Sequence, residues 1–213
     1  MPLLDLLFPK SSLTGTEGEW ITKAELSSLT SHPVAFPSEA LKKRGIRSLD
    51  HVYGVSTYQG CPLLKKAIHT FKYRRIPGLG KLLQELFAAS VLQRVDLESE
   101  SCICPVPLHW SRKFQRGFNQ AEILGRALAK QSGLPIRNLL RRIRPTGHQS
   151  RRNRTERWRA MRGVFRVEHA VAFPTCVYLV DDLFTTGATM EECAKELKKA
   201  GVERVEGLVL ACG

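Results

Sequence analysis

No stretch of the 213 residues approaches the roughly 18 consecutive apolar positions that a membrane-spanning helix requires, so no membrane insertion is expected. Residues 3–8 are apolar apart from Asp5 but short, with no basic region before them and no small-residue cleavage site after them, so a cytoplasmic location is expected. No Gly-Lys-Ser/Thr occurs, which disfavours nucleotide hydrolysis of the P-loop kind. The six cysteines, Cys61, Cys102, Cys104, Cys176, Cys193 and Cys212, form no C-x-x-C pair, and several sit in apolar runs. They read as reduced thiols packed as small hydrophobes, with no metal or disulfide role. There is also no internal repeat or low-complexity tract in the first 50 residues.

Acidic side chains are few, 20 against 33 Lys and Arg, for a formal charge of +13. The imbalance is local. Residues 101–140 hold six basic groups and one acid, residues 141–162 hold nine Arg and one Glu, and residues 163–213 reverse to five basic and eight acidic. Such a distribution suits a polyanion, either pyrophosphate or nucleic acid. With 43% hydrophobic and 25% charged residues, the chain is otherwise ordinary for a globular domain with a substantial core.

The most informative stretch is residues 177–189, Val-Tyr-Leu-Val-Asp-Asp-Leu-Phe-Thr-Thr-Gly-Ala-Thr. An apolar run rich in β-formers meets Asp181 and Asp182, then Thr185, Thr186, Gly187, Ala188 and Thr189, after which a helical pattern begins with Met190, Cys193, Ala194 and Leu197 on one face. The first amides of a helix lack partners and carry the positive end of its dipole, so this strand, loop and helix can bind a phosphate. Gly187 lets the backbone approach closely, and the threonines add hydroxyl donors. The two acids would repel a bare phosphate, yet they can accept hydrogen bonds from a diol or hold Mg²⁺ directly or through water. The implied ligand carries a phosphate at one end and hydroxyls beside it.

Residues 181–189 resemble the phosphoribosyl pyrophosphate (PRPP) signature of type I phosphoribosyltransferases. The resemblance implies that Asp181 and Asp182 bind the ribose hydroxyls and that the 185–189 loop wraps the 5′-phosphate. It also implies an α/β fold, a mostly parallel central sheet flanked by helices, with an N-terminal hood over the site.

Upstream, the spacing predicts a strand from Val52 to Tyr58, a helix opening at Pro62 and a second from Leu79 to about Val91. Gly78 and Gly80 read as a turn. Residues 101–108 read as a buried strand, followed by a cationic loop and a helix opening at Asn119, where Asn119 and Glu122 make a capping-box-like pair. Residues 136–143 rejoin the core as strand or helix, and residues 205–211 form a last strand. Residues 30–37 read as loop, and residues 38–44 as a short helix.

The passage from Pro105 to Glu122, with its proline pair and Arg116-Gly117-Phe118-Asn119-Gln120, resembles the ComF (ComFC) family, phosphoribosyltransferase-like proteins associated with DNA uptake in competent bacteria. The likeness covers about residues 52–213. It implies that Leu108, His109, Arg112 and Lys113 lie in a pyrophosphate loop, with Arg112 and Lys113 joining the two acids as catalytic candidates. It also implies that residues 144–162 form a flexible loop in which Thr146, Gln149 and Arg157 fit the family's pattern. Residues 1–50 then form an N-terminal appendage, the degenerate counterpart of a zinc module. Relatives carry cysteines there, whereas this chain has Ser12 and Gly15 and no cysteine in that segment, so no zinc is expected and stoichiometric zinc in the purified protein would overturn that. Ala160 stands where the family pattern has Asn.

The expected function is binding of PRPP with Mg²⁺ in a protein that supports DNA uptake, with the uptake machinery as partner and with transfer to an unknown acceptor left open. Two alternatives stand beside it. In one, Gln149, Arg151, Arg152, Arg154 and Arg157 grip single-stranded DNA while Trp158 stacks on a base, and the PRPP site is regulatory or vestigial. In the other, the protein is a purine-pathway or salvage transferase.

Overall fold

The computed structural model describes residues 14–15, 22–29, 32–73, 77–111, 114, 117–146, 153–168 and 172–213. Its centre is a five-stranded sheet of β1 (Val34–Pro37), β2 (His51–Thr57), β3 (Ser101–Pro105), β6 (Cys176–Phe184) and β7 (Arg204–Cys212), in the order β1-β2-β7-β6-β3. β2, β7, β6 and β3 run parallel, and β1 closes one edge antiparallel to β2. A second, two-stranded sheet joins β4 (Leu140–Arg142) to β5 (Phe165–Val167).

The inner strands carry almost unbroken apolar runs because helices cover both of their faces. On one face lie α3 (Pro62–Tyr73), α4 (Pro77–Arg94) and α5 (Gln120–Ser132). Their Leu64, Ile68, Phe71, Leu83, Phe87, Leu124 and Leu128 meet Tyr53, Val55, Ile103, Tyr178 and Val180 of the sheet. The other face packs under α2 (Ser38–Lys43), α6 (Arg154–Met161) and α7 (Ala188–Lys199), where Leu41, Met161, Met190, Cys193 and Leu197 meet Val52, Cys104, Val177 and Leu179. This is a three-layer α/β arrangement with its parallel strands ending on one edge, where ligands bind in such sheets. All six cysteines are buried free thiols. Burial pushes Cys104 and Cys212 up to about 12 and Cys102 to about 11, which keeps these thiols protonated and unreactive.

Several local expectations change. The segment expected as a loop before residue 38 contains β1, whose Val34 and Phe36 pack on the core while Ala35 faces out, an alternation of only four residues. Gly78 and Gly80 are not a turn but part of the first turn of α4. A Cβ at Gly80 would come within 3.2 Å of Phe71 Cε2, so this glycine allows α3 and α4 to pack closely. Ile136 makes an isolated bridge to Ile103 before the chain enters β4. α1 (Lys23–Leu29), which hydrophobic periodicity alone does not indicate, opens on a reciprocal pair: Thr22 Oγ1 accepts from Glu25 N at 3.2 Å and Glu25 Oε2 accepts from Thr22 N at 2.7 Å. At α5, Asn119 caps by accepting from Ala121 N, while the Glu122 carboxylate accepts from Arg126 at 2.7 Å.

Residues 144–162, expected as an exposed flexible loop without an apolar face, lie in sequence between the paired strands β4 and β5. Their described C-terminal part is α6. Asn153 Oδ1 accepts from Glu156 N at 2.9 Å and Glu156 Oε2 accepts from Asn153 N at 3.0 Å, a full capping box. Met161 is buried and Trp158 packs against the same core, so two well-spaced side chains suffice to dock the helix.

Candidate functional site

Where β6 ends, the alternation of its side chains slips by one residue. Tyr178 and Val180 face the first core and Val177 and Leu179 the second, but beyond the acids Leu183 packs on the first and Phe184 on the second. Asp181 and Asp182 sit between these two stretches, and the register of β6 on β7 is the same on both sides of them. Asp182 is buried, whereas Asp181 is partly exposed and its Oδ1 accepts from Asp182 N at 2.8 Å. The Asp181 charge lies near Cys193, whose thiol is raised well above its usual value by burial first, then by Cys104 and Asp181.

The backbone then turns through Thr185 and Thr186 into Gly187, which is left-handed at φ 79° and precedes α7 without a side-chain cap. Gly187, at the N-cap, supplies no side-chain acceptor to the first amides of the helix. Ala188 N donates to Thr186 Oγ1 at 3.4 Å. Together with Thr189, these residues line a small concave site that Arg157 and Met161 close from α6. Arg157 Nη1 donates to Thr185 Oγ1 at 3.3 Å, and Thr189 Oγ1 to Met161 Sδ at 3.4 Å.

The floor of the turn comes from the N-terminal segment. A Cβ at Gly187 would collide with Ile46 Cδ1, so Gly187 is required both by its conformation and by space. Ile46 is held because the buried Glu191 carboxylate, in the first turn of α7, accepts from Arg47 N at 3.0 Å, Ser48 N at 2.9 Å and Ser48 Oγ at 3.0 Å. Phe36 packs on Phe184 with ring centroids 6.0 Å apart, and Arg44 stacks over Phe36 at 4.2 Å.

One strand away, β3 ends at the same edge as β6. Val106 N continues the ladder to Val180 O at 2.9 Å, and Asn119 Nδ2 reaches back to Val106 O at 3.0 Å. Leu108 is half-buried and His109 buried, with His109 Nδ1 2.8 Å from Ser111 Oγ. Trp110 and Phe114 beyond them are 74% and 88% exposed. Arg112 and Lys113 lie outside the described residues, as do Gln149, Arg151 and Arg152. Arg154 is described, and its Nη2 donates to Arg44 O at 2.6 Å. The structure therefore brings Arg157 to the threonine loop, sends Arg154 to the neighbouring N-terminal segment and packs Trp158 inward. Periodicity does not disclose the part played by Ile46 and Met161, which are distant in sequence from the loop they support, nor that of Glu191, whose partners Arg47 and Ser48 are far from it in sequence.

A parallel sheet whose β6 delivers two acids and a threonine-glycine turn into a helix N-terminus has the type I phosphoribosyltransferase fold. The chain is 32% identical over 157 residues to the DNA utilization protein YhgH of Salmonella typhimurium, covering 71% of this chain and 68% of that one. It is 32% identical over 147 residues to Competence protein F of Haemophilus influenzae (65% and 63%), and 30% identical over 146 residues to Competence protein ComFC of Bacillus subtilis (68% and 58%). The chain belongs to the ComF family. It spans 63% and 58% of the length of the two competence proteins. No family model matches it.

Proposed function

We propose that this protein binds PRPP at the end of β6 and acts in DNA uptake, as the names of its competence relatives suggest for them. The observation that supports this most is the turn itself: a left-handed Gly187, three threonines and an uncapped helix start, with acids immediately upstream. The loop amides and hydroxyls take the 5′-phosphate, and the partly exposed Asp181 takes ribose hydroxyls, with Asp182 supporting the strand end from within. These residues fit a Mg²⁺-loaded ligand, since Asp181 offers a carboxylate near the ribose; the ion would neutralise charge on the pyrophosphate.

If transfer follows, a nucleophile bonds to ribose C1 as the C1–O bond to pyrophosphate breaks, and the nucleophile's proton passes to solvent or a base. Positioning and electrostatics would supply the rate enhancement. Calorimetric titration with PRPP, with and without Mg²⁺, tests the reading. Saturable binding lost in Asp181→Asn/Asp182→Asn is expected, and absence of binding to the wild-type protein would refute it.

A second reading, binding of single-stranded DNA, is favoured by the exposed Trp110 and Phe114 in a segment whose neighbours in sequence are Arg112, Lys113 and Arg116. These aromatics, rather than the inward-packed Trp158, are placed to stack on bases. Trp110→Ala/Phe114→Ala is expected to weaken binding of a fluorescent oligonucleotide by about 10-fold or more at fixed salt. Unchanged affinity would remove this reading.

A further inference from the structure

We infer that Arg157 is a ligand of the 5′-phosphate, delivered from outside the threonine loop by a helix that is already docked. The inference rests on the PRPP reading above and adds to it a residue from a different element. Three observations carry it. First, among the described residues that line the concave site, Arg157 is the only one bearing a charge. The others are apolar residues, threonines and a glycine, so the loop by itself offers amides and hydroxyls to a dianion but no cation.

Second, the Arg157 guanidinium is already at the loop, 3.3 Å from Thr185 Oγ1. A phosphate oxygen held by Thr185 would fall within reach of the same group, and a guanidinium presents several donors in one plane. Third, the side chain is carried on a fixed support. The capping box of Asn153 and Glu156 starts α6, Met161 and Trp158 dock it on the core, and Arg154 Nη2 ties it to Arg44 O. Just past its end, Gly163 N donates to Glu192 Oε1 at 2.6 Å, and Arg144 Nη2 donates to Arg162 O at 2.6 Å and Gly163 O at 2.9 Å. The helix is thus joined to α7, whose opening carries the opposite wall of the same site. A cation placed in advance loses little freedom when the phosphate arrives.

The arrangement separates two roles that a loop rich in arginine would otherwise blur. Arg157 serves the phosphate end of the ligand, and the pyrophosphate end belongs to other residues. The experiment is calorimetric titration of wild type, Arg157→Gln and Arg157→Lys with three probes: PRPP with Mg²⁺, ribose 5-phosphate and inorganic pyrophosphate with Mg²⁺. Arg157→Gln should weaken PRPP and ribose 5-phosphate by the same factor, about 10- to 100-fold for a charged hydrogen-bonding contact, and leave pyrophosphate unchanged. Arg157→Lys should recover part of the loss, because charge returns without the planar fork.

Loss of PRPP and pyrophosphate affinity with ribose 5-phosphate unaffected would overturn the inference and assign Arg157 to the leaving group. Equal affinities in wild type and both variants would also overturn it while the PRPP reading survives. Failure of the wild-type protein to bind either PRPP or ribose 5-phosphate would instead reject the PRPP reading, and this inference with it. Circular dichroism of each variant separates these outcomes from unfolding, and a merely structural role would not split ribose 5-phosphate from pyrophosphate.

Discussion

At the scale of single residues, the shape of the site depends on Gly187. Its φ of 79° strains any residue with a Cβ, and the space a Cβ would fill is occupied by Ile46 Cδ1. The two effects are separable. Gly187→Ala is expected to cost about 1–3 kcal/mol of stability and to weaken PRPP binding. Adding Ile46→Val removes the colliding methyl, so the double variant should regain the steric part of the loss but not the conformational part. Chemical denaturation of the wild type, Gly187→Ala, Ile46→Val and the double variant measures both, and a double variant no better than Gly187→Ala would show that space is not limiting. The glycine itself was legible in the sequence, because a threonine-glycine turn after paired acids has few other uses. Ile46 was not, since it lies 141 positions away and reads as one more apolar residue before a strand.

At the scale of elements, the strands and helices that pack against the sheet were legible because their patterns are simple. Cys176–Phe184 is apolar up to its acids, and α5 and α7 repeat apolar residues at helical spacing. α6 was missed for a physical reason: three of its eight residues are arginine, and it docks through Trp158 and Met161, too few to make a stripe. Its beginning was nevertheless written in the chain as Asn153-x-x-Glu156, as α1 was written as Thr22-x-x-Glu25, and capping signals would have found both. The cap has a measurable share in holding the helix. Asn153→Ala should destabilise α6 by about 0.5–2 kcal/mol, seen as faster hydrogen exchange of amides between residues 156 and 161. Exchange in α7 should stay unchanged. If α6 amides exchange as in wild type, packing of Met161 and Trp158 alone fixes the helix.

At the scale of the whole molecule, the composition pointed to a polyanion partner but could not say which basic residues serve a site and which a surface. The fold sorts some of them: Arg157 faces the threonine loop, Arg144 and Arg154 bind backbone carbonyls, and Arg204 pairs with Glu98 and Glu206. The buried thiols give the molecule a second global property, a dependence of stability on high pH. Each would lose its proton near the ordinary thiol value of 9.0 in the unfolded chain, but burial holds Cys102 to about 11 and Cys104 and Cys212 to about 12 in the fold. Nearby Arg137 and Arg44 offset only part of this for Cys102 and Cys212. Between these values the unfolded state binds fewer protons than the folded state, so stability must fall as pH rises. The contribution is fully present below about pH 9 and is lost as pH climbs through 11 to 12, with burial of the Tyr178 hydroxyl, also pushed up to about 12, adding to the slope above its ordinary value of 10.0. Thermal midpoints measured from pH 8 to 11 should therefore decline steadily above 9. Cys104→Ala should lower the midpoint at every pH through the cavity it leaves, yet make the decline shallower, because one of the retained protons is gone. A decline as steep in the variant as in the wild type would show that Cys104 is not held protonated by its burial between β3 and α7.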